Sequence, residues 1–143
     1  MRKVTAISEK EPYVVEVSTG KHQWNVDEPP DLGGQDAGPS PYELLLGSVG
    51  ACMLITARMY AARKSWPIQS MRVELDFSRV RAEECEDCES QKGLISQIGI
   101  RMSLEGDLDE AQKQRVFEIA GKCPVKRTLE GEVKIRSELL GGD

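Results

Sequence analysis

The sequence predicts a single α+β domain over residues 1–143. Three observations support this prediction: β-rich segments near the N-terminus, a long apolar segment with helix-start signals, and two extended segments followed by a second helical pattern. A chain of 143 residues corresponds to about one domain, at roughly 100–200 residues per domain. This length is sufficient to bury a hydrophobic core without disulfide bonds.

The first segment, from Val4 to Val26, is predicted to form strands. YVVEV (Tyr13–Val17) is rich in β-formers, STGKH (Ser18–His22) has turn composition, and QWNV (Gln23–Val26) is again extended in character. The segment DEPPDLGGQDAGPSP then predicts a loop that is longer than most connections in a compact domain. Loops of that length are often functional.

A long helix is predicted from about Pro41 to Lys64. Ser40 fits the N-cap position, Pro41 the first helical position and Glu43 the third, which together form a capping box. The apolar run within the helix is too short to span a bilayer and indicates a core helix. Gly47 and Gly50 weaken a helix and therefore suggest that another backbone packs closely against it.

The remaining elements follow from local patterns. The apolar–polar alternation of MRVELDFSRV (Met71–Val80) predicts a half-buried strand, and LISQIGIRMSLEG (Leu94–Gly106) is its expected hairpin partner. Asp107 and Glu110 suggest a capping box for a second helix that ends at Gly121. Beyond that helix, Pro124 is expected to open a short helix, and Val133–Ser137 to form a last strand.

Two cysteines are candidates for thiol chemistry, each with a structural alternative. Cys52 lies within the long helix, where helical spacing places it with Val49, Ile55 and Met59, so it could equally be a small core residue. Cys123 lies at a predicted helix start near lysine and arginine, an environment that favours the thiolate over the thiol. An ordinary cysteine in a turn is the alternative for Cys123.

Cys85 and Cys88 form a CxxC pair in the acidic turn RAEECEDCESQKG. Such a pair can supply half of a zinc site or act as a dithiol, but a surface loop without a metal is the favoured interpretation. The neighbouring acidic residues should raise the thiol pKa values and weaken their nucleophilicity. In a chain of this type the four cysteines are expected to be reduced, catalytic or metal-bound rather than structural disulfides.

Composition excludes several classes of function. The net charge of −5, with both signs interspersed, leaves no basic face for nucleic acid. Motifs for dinucleotides, the P-loop and the serine-hydrolase elbow are absent, and the single histidine, His22, makes a Ser/His triad a poor choice. The N-terminal residues show no secretory signal, so we expect a cytoplasmic protein without a membrane partner.

The segments GGQDAGPSPYELLLGSVGACM and CPVKRTL together resemble the OsmC/Ohr superfamily of thiol-dependent peroxidases. The closer resemblance is to its YhfA-like branch, through GPSPYELLLGSVGAC, RMYAARKSWP, CEDC and LEGDLDEAQKQRVFEIAGKCPVKRTL. The resemblance covers most of the chain, about residues 33–139. It implies an OsmC-like fold, in which curved antiparallel sheets surround long central helices in an intertwined homodimer.

The resemblance also implies a reaction. Cys52 would be the peroxidatic thiol, which attacks a hydroperoxide and becomes a sulfenic acid. Cys123 would be the resolving thiol, which condenses with it to a disulfide that a small-molecule or protein dithiol then reduces. No cofactor is implied, and no metal is expected, apart from the CxxC alternative above.

The sequence departs from the peroxidase pattern at two places. Well-studied members have a glutamate ten residues before the peroxidatic cysteine, whereas this chain has Tyr42 there and Glu43 one residue later. An arginine from the N-terminal strands assists the thiolate in those members, and this sequence has none between Arg2 and Arg58. Tyr42 and Glu43 are therefore the candidate substrate-binding residues. The alternative function is an OsmC-fold protein that binds a small molecule with little or no turnover.

Overall fold

The computed structural model describes residues 3–141 and confirms the α+β class. The helices and strands occur in the order β1 (Thr5–Ser8), β2 (Val15–Thr19), β3 (His22–Val26), α1 (Pro41–Lys64), β4 (Ile68–Arg81), β5 (Leu94–Gly106), α2 (Glu110–Ala120) and α3 (Pro124–Glu130). Short 3₁₀ turns occupy Pro30–Leu32 and Ala82–Glu84. The chain packs as two compact units, one comprising the residues up to Gly47 with Leu75–Gly99, the other Ser48–Glu74 with the residues from Ile100 onward.

The three N-terminal strands form an antiparallel sheet in the order β1-β2-β3. The predicted turn between the second and third strands is confirmed, although it is shorter than expected and centres on Gly20 and Lys21. Gly20 has a φ of +70°, a left-handed conformation that glycine adopts at little cost. Opposite Cα partners such as Val17 and Trp24 fix the register of the hairpin.

The loop after β3 is organised by one buried carboxylate. The Asp27 side chain is 1% exposed and accepts hydrogen bonds from the backbone N–H groups of Glu28, Gln35 and Ala37, at 2.8, 3.0 and 3.1 Å. The Asp27 backbone N–H donates to the carbonyl of Pro39, so both ends of the loop meet at this residue. The loop therefore has a definite conformation despite its glycine and proline content.

Two glycines let the loop fold this tightly. A Cβ atom at Gly34 would collide with the carbonyl of Glu28, and one at Gly38 would collide with the carbonyl of Asn25. The carbonyl groups that such a Cβ atom would meet belong to the backbone, so they cannot move aside as a flexible side chain could. The composition of the loop thus follows from its close approach to the end of β3.

Replacing Asp27 with asparagine is expected to lower the melting temperature at pH 7 by about 5 °C or more, because an amide NH₂ group would face a backbone N–H donor. The Ala37 amide and its neighbours hold the pKa of Asp27 below its usual range, against the opposing effect of burial. The stabilisation is complete above the unfolded pKa of about 3.9 and is lost as the pH falls through the lower folded pKa. The melting-temperature difference should therefore shrink below about pH 4.

Thermal denaturation of both proteins between pH 7 and pH 2 measures this effect. Asp31→Asn, at an exposed position in the same loop, is the matched control and should melt within about 1 °C of wild type. A deficit for Asp27→Asn that stayed constant down to pH 2 would contradict the assigned role of the carboxylate.

Helix α1 occupies the predicted range, and its capping box is present. The Glu43 carboxylate accepts from the Ser40 backbone N–H at 3.2 Å, and the Ser40 hydroxyl accepts from the Glu43 N–H at 3.3 Å. The side chains that α1 buries recur every four residues, as helical periodicity requires. They are Val49, Met53, Ala57 and Ala61.

The packing expected at the helix glycines differs between the two positions. Gly50 is buried, but among the described residues a Cβ built at Gly47 would meet nothing within 4 Å apart from its chain neighbours and the nearby backbone of α1 itself. The predicted close approach at Gly47 is therefore not made by the described part of this chain. By length and composition alone, α1 could cross a membrane, a test that the core helix of a soluble protein also passes.

Strands β4 and β5 form a second, two-stranded sheet, as the hairpin prediction required. Half-buried and exposed residues alternate from Met71 to Phe77, which confirms the period-two pattern of this segment. β5 has the predicted bounds. β4 spans Ile68–Arg81 and so extends beyond both ends of the predicted strand Met71–Val80.

Two predictions in the C-terminal part need correction. The α2 capping box is made by Asp109 and Gln112, not by Asp107 and Glu110, because Asp109 has the extended backbone of an N-cap and accepts from the Gln112 N–H at 2.7 Å. Gly121 ends α2, as predicted. The strand predicted at 133–137 is absent, since this segment pairs with no strand among residues 3–141.

Candidate active site

Cys52 lies on α1 at the edge of its buried face. Its neighbour Met53 is fully buried, whereas Ile55 is exposed, and Cys52 itself is half-buried between these two environments. Helical geometry thus leaves Cys52 partly exposed. The residues expected to share a helix face with Cys52 differ in burial. Val49 is buried within the chain, whereas Ile55 and Met59 are exposed.

Cys123 is the N-cap of α3, and Pro124 occupies the first turn as predicted. Its backbone is extended, with φ −61° and ψ 145°, so the side chain can turn back over the first turn of the helix. The Cys123 Sγ accepts a hydrogen bond from the Lys126 backbone N–H at 3.4 Å. The side chain is fully buried.

The electrostatic environment of Cys123 differs from the expected one. Burial raises the pKa of the Cys123 thiol and outweighs the lowering effects of the Lys126 amide and charge. The Cys52 side chain, close enough to interact with it by hydrogen bonding, raises that pKa further. The expectation that the helix start would favour the thiolate was wrong, because local charge cannot offset the loss of solvent around this sulfur.

The fold therefore brings together two cysteines that are far apart in the sequence. Cys52 and Cys123 belong to the same compact unit and are the free cysteines among the described residues. One sulfur is partly accessible, and the other is buried and held mainly as a thiol at neutral pH. Such a pair can pass between a dithiol and a disulfide state.

An open cavity of about 300 Å³ lies in the same unit. Phe117 and Ile100 contribute apolar surface, and Lys122 and Lys126, which flank Cys123 in the sequence, contribute two amines. The cavity is lined by Met53, Ile100, Phe117, Glu118, Gly121, Lys122 and Lys126. It combines an apolar wall with a polar rim, and neither Cys52 nor Cys123 is among its lining residues.

Tyr42 contacts an arginine that the sequence analysis did not identify. Its ring packs against Phe77, with 4.5 Å between centroids, and its hydroxyl accepts a hydrogen bond from Arg79 Nη2 at 2.9 Å. The Arg79 guanidinium lies over both rings, 5.8 Å from the Tyr42 centroid and 5.3 Å from that of Phe77. The i, i+2 spacing of Phe77 and Arg79 predicts that they share a strand face, but no local signal indicates Tyr42 as their partner.

Glu43, the second predicted substrate-binding residue, has a structural role at the helix start. Its carboxylate is one half of the capping box with Ser40, as described above. The structure assigns no ligand to either Tyr42 or Glu43, so their role in substrate binding stays a prediction.

Cys85 and Cys88 form a disulfide, with 5.5 Å between their Cα atoms. The expectation that all four cysteines would be free, catalytic or metal-bound was therefore wrong for this pair, because the i, i+3 spacing and the turn geometry allow the bond. With Asp87 the pair forms a group of converging donor atoms. A metal could use the two sulfurs only after reduction, since a disulfide has no thiolate to offer.

Comparisons with known proteins place the fold. A family model described as OsmC-like protein matches residues 33–138. A search of curated protein sequences found no match. An OsmC-like protein from Mycoplasma pneumoniae has a similar structure, with a TM-score of 0.67 and 22% identity, over 92% of this chain and 88% of that chain.

Two further structures show the same fold. An organic hydroperoxide resistance protein OsmC from Legionella pneumophila superposes with a TM-score of 0.67 and 17% identity, over 92% of this chain and 90% of that chain. The organic hydroperoxide resistance protein OhrB of Bacillus subtilis gives a TM-score of 0.62 and 20% identity, over 92% and 91%. These likenesses show the fold, and the family model that matches residues 33–138 shows that the chain belongs to the OsmC-like family.

Proposed function

We propose that the protein is a thiol-dependent hydroperoxide reductase with a role in oxidative or osmotic stress defence. The Cys52 thiolate attacks the terminal oxygen of a hydroperoxide, the O–O bond breaks, and an alcohol or water leaves once its oxygen is protonated. Cys52 is then a sulfenic acid, which condenses with the Cys123 thiol to form a disulfide and release water. An external dithiol reduces that disulfide and leaves as a disulfide itself.

The observation that carries this proposal is the pairing of a partly accessible Cys52 with a buried Cys123. A peroxidatic thiol must reach its substrate, and Cys52 is the more exposed of the two. A resolving thiol must be kept from reacting with peroxide first, and burial with a raised pKa does this for Cys123. The two cysteines therefore suit different steps of one cycle.

The known relatives support the same reaction class. The Legionella pneumophila and Bacillus subtilis proteins above are named for organic hydroperoxide resistance, as is one from Elizabethkingia anophelis at 17% identity.

A direct experiment is to mix fully reduced protein with tert-butyl hydroperoxide or hydrogen peroxide and measure both peroxide loss and free thiols. We expect two thiols, those of Cys52 and Cys123, to disappear for each peroxide consumed, with faster reaction for the organic substrate. Thiol loss no faster than that of free cysteine at the same pH would argue against the proposal.

Small-molecule binding with little turnover is the second candidate function, favoured by the cluster of Tyr42, Phe77 and Arg79. A hydroxyl and a guanidinium on an aromatic base can bind an anionic or oxygen-rich ligand. The cluster also supports the proposal that Tyr42 binds substrate oxygens. It provides an arginine, although from β4 and not from the N-terminal strands.

Replacing Tyr42 with phenylalanine separates these possibilities. The ring contact with Phe77 is kept and the hydrogen bond to Arg79 is lost, so the fold should be unchanged. If Tyr42 binds a hydroperoxide, we expect KM to rise by about three- to tenfold with kcat changed less, as loss of one hydrogen bond predicts. Steady-state kinetics with each hydroperoxide checks this.

Tyr13→Phe is the control, since it removes a hydroxyl from another exposed tyrosine. A Tyr42→Phe protein with unchanged kinetics but weaker binding of a purified ligand, measured by calorimetry, would favour the binding function. Unchanged kinetics and unchanged binding would exclude Tyr42 from both.

We further propose a soluble, cytoplasmic homodimer. Only 28% of the most apolar window of α1 is buried within one chain. Ile55 and Met59 on its outer face are 61% and 63% exposed, and an open apolar cavity lies beside them with Leu54 and Met71. A second copy of the chain would cover this surface. The exposed, unpaired segment from Val133 to Leu140 could gain a strand partner in the same way.

A further inference from the structure

The loop between β4 and β5 contains a disulfide that the proposed reaction does not use. Cys85 and Cys88 are both partly exposed and lie at the end of the 3₁₀ turn Ala82–Glu84. Solvent and thiol reagents can therefore reach the bond. The question is whether the bond holds the fold together or takes part in exchange.

The bond contributes little to the fold by physical argument. It closes a ring between residues only three positions apart, and the entropic effect of a disulfide grows with the length of the loop it closes. The base of the loop is already closed by the Ala82 N–H, which donates to the Gly93 carbonyl at 2.9 Å. The Cys85 N–H donates to the Ala82 carbonyl at 3.2 Å, so the turn also has its own hydrogen bond.

The surroundings of the pair are strongly acidic and open to solvent. Asp87 Oδ1 lies 3.4 Å from the Cys85 Sγ. Negative charge destabilises a thiolate and repels anionic thiols that approach the pair. The exposed acidic side chains around the pair are Glu83, Glu84, Glu86, Asp87 and Glu89.

We propose that Cys85–Cys88 is a second redox site, an exchangeable disulfide. Its partner is a thiol compound or a dithiol protein that carries no negative charge near the sulfur that reacts. A reductant thiolate attacks one sulfur, the S–S bond breaks, and the other cysteine leaves as a thiolate that takes a proton from water. The second reductant thiol then attacks the mixed disulfide. The reductant departs as a disulfide, and the chain holds two thiols. The site works whether or not Cys52 and Cys123 reduce hydroperoxides.

The test uses oxidised full-length protein with Cys52→Ser and Cys123→Ser, so that only this pair titrates. Dithiothreitol should reduce the folded protein, seen as two alkylated cysteines by mass spectrometry, and the melting temperature should change by less than about 2 °C. If this double variant does not fold, peptide mapping of the wild-type chain measures the alkylation of Cys85 and Cys88 separately from that of the other cysteines.

The charge selection is tested with two monothiols at equal thiolate concentration. Glutathione thiolate carries a net charge of about −2 and cysteamine thiolate about zero. The variant E83Q/E84Q/E86Q/E89Q should speed attack by glutathione by on the order of tenfold and leave cysteamine within about twofold. Three results would each overturn the proposal. The disulfide could resist dithiothreitol in the folded state, the melting temperature could fall by more than about 5 °C on reduction, or the rate with glutathione could be unaffected by the four glutamines.

Discussion

Replacing Cys52 with serine is expected to abolish hydroperoxide reduction, with at least a 100-fold loss of rate as an order-of-magnitude bound. A serine hydroxyl has nearly the same size as the thiol, but it is not ionised at neutral pH and cannot attack the O–O bond. Peroxide consumption by the reduced protein, followed under excess dithiol, measures the loss. The half-buried position of Cys52 should accept serine without unfolding, which circular dichroism can verify.

Cys123→Ser is the matched variant, and the two should fail at different steps. Because Cys123 acts after the peroxide, its loss should leave the first oxidation of Cys52 within about threefold of wild type and block formation of the intramolecular disulfide. The sulfenic acid on Cys52 should then persist long enough to be trapped by dimedone and detected by mass spectrometry. In Cys52→Ser no such adduct should form at position 123.

Two results would contradict this assignment. If Cys52→Ser consumed peroxide as fast as wild type, the nucleophile would lie elsewhere. If dimedone labelled Cys123 in the Cys52→Ser protein as fast as it labels Cys52 in the Cys123→Ser protein, the peroxidatic and resolving roles would be reversed. The burial and raised pKa of Cys123 make that second result unexpected.

The elements that could be predicted are those fixed by local chemistry. The bounds of α1 follow from Ser40, Pro41 and Glu43 at its start, and these residues interact in the structure as their spacing requires. The start of α3 follows in the same way from Pro124. The α2 cap was placed two residues early because Asp107 and Asp109 both satisfy the pattern, and Asp109 is the one that caps the helix.

What could not be predicted depends on contacts between distant segments. Helical spacing could not decide between a core role and a reactive role for Cys52, because that depends on where Cys123 lies. Burial also reversed the pKa shift expected of Cys123 from its charged neighbours. Arg79 was missed because its partner, Tyr42, belongs to another element. The expected C-terminal strand lacks a partner within the described chain, and a strand requires one.

The outer face of α1 gives the second large prediction: the variant with Ile55→Asp and Met59→Asp should be a monomer. The two side chains are one helical turn apart and mostly exposed, so a single chain loses little when they become polar. At an apolar interface each carboxylate would be buried without a partner, which costs several kcal/mol per charge as a rough figure. The dimer dissociation constant should therefore rise by at least about 100-fold.

Sedimentation equilibrium or light scattering over a range of concentrations measures the association. The control variant, Ser90→Asp with Gln91→Asp, adds the same charge in the exposed loop between β4 and β5 and should remain dimeric. A dimer that survives both aspartates on α1 would show that this face is not the interface. If the variant is a monomer, its rate of peroxide reduction shows whether the second copy is needed to complete the surroundings of Cys52, which lies on the same helix.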